Sequence, residues 1–206
     1  MNALILVDLQ NDFMPGGALP VPDGSAVIPL ANRLMQIFDH VIATQDWHPL
    51  MHGSFAANHS CKRPGEFVQL NGLTQILWPV HCVQNSEGAA FVKELDSTRI
   101  EKVFKKGTDA GIDSYSGFFD NGHRKATGLG DYLTALGVRD VFVLGVATDY
   151  CVKFTALDAR SLGFTTTLIE DACRGVNVNP GDVDKAIFEM KVAGVVVTQA
   201  SSLPVA

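Results

Sequence analysis

The sequence is poor in the features that would tie a chain to nucleic acid, a membrane or an oxidising compartment. Lysine and arginine number 16 against 22 acidic residues, a net charge of −6. A phosphate backbone needs a basic face, and this balance does not supply one. No apolar run approaches the ~20 residues that span a bilayer. The opening MNALILVDLQ has neither the basic n-region nor the cleavage site of a secretory signal, and reads instead as a buried strand. Only four cysteines occur, Cys61, Cys82, Cys151 and Cys173, and no two stand in C-x-x-C spacing. That excludes a zinc ribbon and a thioredoxin-type motif, and a cytoplasmic chain of this size has little use for a disulfide framework. No internal repeat, low-complexity tract or linker divides the 206 residues. The expectation is one cytoplasmic domain, 1–206.

What remains is an alternation of strand-like and helix-like segments. The run ALILVD (3–8) is continuously apolar, as in a strand buried on both faces. Further strands are expected at 40–46, 101–106, 139–146, 164–171 and 195–199. Helices are expected at 25–38, 128–137, 149–163 and 181–194, with Ser25 as an N-cap and Gly137 as a stop. Repeated β–α–β units make an α/β fold, a doubly wound, mostly parallel sheet with helices on both faces. Between 46 and 85 the periodicity weakens, which marks an insertion.

In such sheets ligands bind beyond the carboxyl ends of the strands. Those ends carry Asp8, Asp46, the pair Lys105–Lys106 and, just past the fourth strand, Cys151. Each alone has an ordinary explanation as a turn residue, a solvated charge or a small hydrophobe. Together they place a carboxylate, an ammonium and a thiol at one edge, the groups that acyl transfer needs. A thiolate attacks a carbonyl carbon, Asp8 moves the proton, and a lysine stabilises the charges. Thr148 or Asp149 is placed to cap the helix behind Cys151, and a helix start favours thiolate. Its free N–H groups suit an oxyanion. Strand alternation sends residues 105 and 106 to opposite faces and does not choose between them.

The stretch TQDWHPLMHGSFAANH sets Asp46 and His48 two residues apart, on one face of extended chain. His81 in WPVHC is a candidate third ligand. His52, His59 and Cys82 are alternatives, and Ser54 is a candidate acting through water. Two imidazoles and a carboxylate suit Zn2+, Fe2+ or Mn2+. Such an ion can activate water or hold a substrate's ring nitrogen. Phe13 and Trp78 lie near these motifs and are candidates to sandwich a flat ring.

Six pieces, LVDLQNDFMPGGAL, TQDWHP…HGSFAANH, LWPVHCVQNSEGA, FKKGTD…DSYSGFFDN, GVATDYCV and DACRGV, run through nearly the whole chain. In that order they resemble the nicotinamidase branch of the isochorismatase-like cysteine hydrolases. The resemblance implies a triad of Asp8, Lys106 and Cys151, choosing the lysine that precedes glycine. It implies one divalent ion, zinc first among the candidates, on Asp46, His48 and His81, holding a pyridine nitrogen. Phe13, Trp78 and Tyr115 are the implied pocket residues. A cis peptide at Val146–Ala147 and oxyanion donors at Ala147 and Cys151 are implied as well. The implied reaction converts nicotinamide to nicotinate and ammonia through a cysteine thioester, a step of NAD salvage, with pyrazinamide as a second substrate. Three readings compete: another amidase or isochorismatase of the superfamily, a silent pyridine-binding protein, and a metal hydrolase using bound hydroxide. Whether the chain forms a homo-oligomer, and whether 107–126 closes over the pocket, stays open at this level.

Overall fold

A computed structural model describes residues 1–203. Six parallel strands form one sheet in the order β5-β2-β1-β6-β7-β8. They are β1 (Asn2–Val7), β2 (His40–Asp46), β5 (Lys102–Lys106), β6 (Asp140–Val146), β7 (Thr165–Arg174) and β8 (Val196–Thr198). The helices are α1 (Val27–Leu34), α2 (Leu129–Ala135), α3 (Lys153–Ser161) and α4 (Asp182–Val192). The chain winds from β1 outward through β2 to β5, then returns to the other side of β1 and winds through β6, β7 and β8. Right-handed crossovers in opposite directions put α1 on one face of the sheet and α3 and α4 on the other. Strands β1 and β6 flank the point where the winding reverses, and there the loops part to leave a crevice.

The sheet forms where the apolar runs predict it. Residues Ala3 to Val7 of β1 are fully buried, which only a strand covered on both faces requires. Replacing Leu4 with alanine is expected to cost about 3 kcal/mol, read as a lower midpoint of chemical denaturation. Gly145 of β6 has φ 131°, and a side chain there would collide with the Val7 backbone. Glycine thus lets β6 approach β1 beside the reversal. No helix among the described residues is long and apolar enough to cross a membrane.

The helices are shorter than their periodicity suggests. The expected 25–38 helix begins as a three-residue 3-10 turn over Gly24–Ala26, and no side chain caps α1. Ser25 Oγ faces Met14 Sδ at 3.9 Å instead. Thr148–Val152 form a π-turn ahead of α3, and neither Thr148 nor Asp149 caps that helix. Asp149 accepts instead from the N–H groups of Val176 (2.9 Å) and Asn177 (2.8 Å), tying down the loop after β7.

The weakly periodic insertion contains an antiparallel hairpin, β3 (Phe67–Leu70) and β4 (Leu73–Ile76). Asn71 and Gly72 make its turn with φ of 48° and 83°, the conformation that Asn-Gly favours. Asn71 Nδ2 donates to Gly111 O at 2.7 Å and Arg124 donates to Asn71 O at 2.9 Å. The segment 107–126 is thereby strapped to the hairpin, with Phe118 buried in the core beneath it.

Candidate active site

Asp8 follows β1 in a left-handed conformation, φ 53°, which a short polar side chain tolerates. Lys106 ends β5 and reaches across the end of β2. Cys151 lies in the π-turn after β6. The topology therefore draws these three together from positions up to 143 residues apart (151 − 8). Lys106 Nζ stands 2.8 Å from Asp8 Oδ2 and 3.3 Å from Cys151 Sγ, and it touches Asp46 as well. It also donates to Ser114 O at 3.1 Å. Thr44 Oγ1 donates to Asp8 Oδ1 at 2.6 Å. Asp8, Asp46 and Cys151 present ligand atoms within 4.8 Å of one another. The Asp8 carboxylate, paired with Lys106, thus stands beside the thiol.

Burial dominates the electrostatics. It pushes the Asp8 carboxyl up, and the Lys106 ammonium offsets this only in part. Burial likewise pushes the Cys151 thiol well above its ordinary range, Lys106 notwithstanding. Burial thus favours the thiol over the thiolate that a capped helix start suggests, and α3 begins two residues later without a side-chain cap. For Asp46 the balance is reversed: burial raises it, but the Lys106 ammonium leads the groups that outweigh burial and hold it well below the carboxylate range. The same carboxylates overcome burial at Lys106 and keep it charged.

Asp46, His48 and His81 meet on the other side of Asp46. His48 Nε2 lies 3.5 Å and His81 Nε2 3.7 Å from Asp46 Oδ2. The outer nitrogens are committed: His48 Nδ1 donates to Gly107 O at 2.9 Å, and His81 Nδ1 to Pro79 O at 2.8 Å. Both rings then turn an Nε2 lone pair toward a carboxylate, an arrangement that calls for a cation between them. This donor set fits a divalent metal. Gly107 has φ 63°, and a side chain on it would strike the His48 ring, which gives the glycine after Lys106 a physical reason. Gln10 holds Asp46 by its backbone, donating to Asp46 O and accepting from Asp46 N, each at 2.8 Å.

The other candidates divide. His52 lies tilted against His48, ring centroids 4.3 Å apart, with its Nδ1 accepting from Ser54 N at 3.2 Å, and His48, His52 and Asp113 present ligand atoms within 4.8 Å of one another, a second possible donor set. His59 is turned away, with Nε2 2.7 Å from Gly53 O. Cys82 is fully buried in the core, and Cys61 is exposed. Phe13, Trp78, Tyr115 and Ala147 line one cleft with Cys151, Asp46, His48 and His81, a tight space of about 30 Å3 between the side chains. The Val146–Ala147 peptide at its floor is cis. The structure adds Leu19, Asp113, Tyr150 and Val176 to the lining. Tyr150 braces both walls, with ring centroids 4.9 Å from Trp78 and 5.4 Å from Tyr115.

A doubly wound α/β sheet with a thiol, a carboxylate and an ammonium at its winding reversal defines a class of α/β hydrolases. The chain belongs to the isochorismatase family: the isochorismatase domain matches residues 2–202. It is 52% identical over 199 residues to a nicotinamidase of Escherichia coli strain K12, covering 94% of this chain and 92% of that one. It is similar to the structure of a nicotinamidase/pyrazinamidase of Acinetobacter baumannii, with a TM-score of 0.96 and 46% identity over 98% of each chain. A pyrazinamidase of Pyrococcus horikoshii in complex with zinc has a TM-score of 0.78 and 40% identity, over 96% of this chain and 98% of that one.

Proposed function

We propose that this protein hydrolyses nicotinamide to nicotinate and ammonia, and pyrazinamide by the same route. The observation that carries the reading is one aromatic-walled cleft lined by Cys151, Asp46, His48 and His81, with Asp8 and Lys106 packed against Cys151 behind it. Nicotinamide has an amide for Cys151 and, across its ring, a pyridine nitrogen for the Asp46, His48 and His81 set. The relatives named above act on amides of this shape, and their identity runs over nearly the whole chain.

The proposed steps use the groups that the structure gathers at the cleft. Asp8 Oδ2 takes the Cys151 proton as Sγ attacks the amide carbon. The N–H groups of Ala147 and Cys151 receive the developing oxyanion. Asp8 returns the proton to the nitrogen, the C–N bond breaks, and ammonia leaves a nicotinoyl thioester. Asp8 then deprotonates a water, which attacks the thioester carbon, and the proton returns to sulfur as nicotinate departs. Lys106 stays charged throughout and holds Asp8 and Cys151 in contact. A divalent ion, zinc first among the candidates, would supply on Asp46, His48 and His81 a Lewis-acid seat for the ring nitrogen. Phe13, Trp78 and Tyr115 hold the ring between them.

On this reading the chain works as one hydrolase domain, with 46–85 as its metal-binding insertion. Its partner is a small molecule in the cytoplasm, with neither nucleic acid nor membrane involved. Ammonia release from nicotinamide by the metal-loaded protein tests it. Hydrolysis of N-carbamoyl compounds with none of nicotinamide would overturn it. Replacing His48 with alanine is expected to strip the metal and raise KM by at least about tenfold. Metal analysis of the dialysed variant checks the first part, and full retention of metal would move the site elsewhere.

A further inference from the structure

We infer that Gln75, which lies outside the cleft lining, is the positioning residue that sets the spacing of the aromatic walls. The inference rests on the functional reading above. Trp78 follows the β3–β4 hairpin, whereas Asp113 and Tyr115 belong to the 107–126 segment, so the two sides of the cleft come from separate pieces of chain. Gln75 sits on β4, 3% exposed. Its Nε2 lies 2.7 Å from Ile76 O, 3.1 Å from Asp113 Oδ2 and 3.1 Å from Tyr115 OH. A backbone carbonyl and a carboxylate only accept, so the nitrogen must face them and the amide orientation is forced. Trp78 Nε1 donates to the same Tyr115 hydroxyl at 3.1 Å.

One hydroxyl therefore receives the indole of one wall while the Gln75 amide pins it to the hairpin and to Asp113. Asp113 Oδ1 is in turn held by the Ser114 N–H at 2.8 Å. Both rings then rest edge-on against Tyr150, which precedes Cys151. A shift of the walls thus changes how the ring lies relative to the thiol. A buried amide with only two hydrogens for three acceptors is a taut connector: removing it leaves a buried carboxylate oxygen and a carbonyl without their donor.

The variant Gln75→Met keeps length and volume but loses the donors. Its KM for nicotinamide is expected to rise about tenfold or more, the scale of a lost bond to a charged acceptor. The fall in kcat is expected to be much smaller, because Asp8, Lys106 and Cys151 are untouched. Calorimetric titration with nicotinate reads the cleft without turnover and should show the same loss of affinity. Tyr115→Phe removes the shared hydroxyl alone. If Gln75 acts through it, the double variant binds nicotinate no more weakly than the worse single one.

Wild-type affinity in Gln75→Met, equal losses in kcat and KM, or effects that multiply in the double variant would overturn the inference. Should Gln75→Met fail to fold, Tyr115→Phe decides by itself: wild-type nicotinate affinity there removes the shared hydroxyl and the connector with it. A wild-type protein that neither releases ammonia from nicotinamide nor binds nicotinate would defeat the functional reading first, and this inference falls with it.

Discussion

Replacing Cys151 with alanine is expected to lower kcat by about 10^4-fold or more while leaving nicotinamide bound. The size follows from the absence of any substitute. Sulfur is the nucleophile in the proposed steps, and the atoms around it are committed to other work. Lys106 Nζ is kept charged between Asp8 and Asp46, and Asp8 has no proton to give until it receives one from the thiol. Alanine retains the backbone N–H of the proposed oxyanion site and leaves the aromatic walls in place, so ring binding persists. Steady-state ammonia release beside calorimetric titration checks both halves. Turnover within tenfold of wild type would remove the thiol from the chemistry and favour hydroxide on a metal. Iodoacetamide makes the same distinction, since alkylation of Cys151 should inactivate and nicotinamide should protect.

Replacing Asp8 with asparagine is expected to cost about 10^3-fold in kcat/KM, within the range of a lost general base. Asparagine keeps the shape and can still meet Thr44 and Lys106, and Lys106 keeps the Asp46 carboxylate, so no buried charge is stranded. The pH profile carries the sharper signature. Burial raises the Asp8 carboxyl above its ordinary value, and the reaction needs it ionised. Activity of the wild type should therefore fall as pH drops through that raised pKa. In Asp8→Asn the residual activity should lose this acid limb. A limb that persists unchanged would assign it to another group.

Folding linkage at Asp46 has the opposite sense. Its carboxyl is depressed in the folded protein. Its contribution to stability is complete above the unfolded value and is lost as pH falls through the lower folded one.

Much of this arrangement is legible in the sequence, and the part that is not has a physical cause. Buried parallel strands announce themselves as apolar runs, and the rule that ligands sit beyond strand ends turns those runs into Asp8, Asp46, the pair Lys105–Lys106 and Cys151, with the choice of Lys106 resting on the family resemblance. The D-x-H spacing works because alternation on extended chain is a local property. Thr44, two residues before Asp46 on the same strand, carries the same signal and is readable in hindsight. So is the hairpin: Asn71-Gly72 between FVQL and LTQI is a turn signature inside a stretch otherwise lacking periodicity. Gln10, Gln75 and Asp113 differ in kind. Their roles are contacts across 36 to 40 residues, as in Gln10 with Asp46 and Gln75 with Tyr115, and no local period encodes those. The protonation state of Cys151 was also out of reach, because burial outweighs the helix start and burial is a tertiary quantity.

The central claim is that nicotinamide passes through a nicotinoyl thioester on Cys151. Turnover in the presence of hydroxylamine tests it most directly, since a thioester is open to that nucleophile and a product formed by direct attack of water is not. The account predicts nicotinohydroxamate from the wild type, rising with hydroxylamine as nicotinate falls, and none from Cys151→Ala. Undiminished nicotinate with no hydroxamate at any hydroxylamine concentration would contradict it.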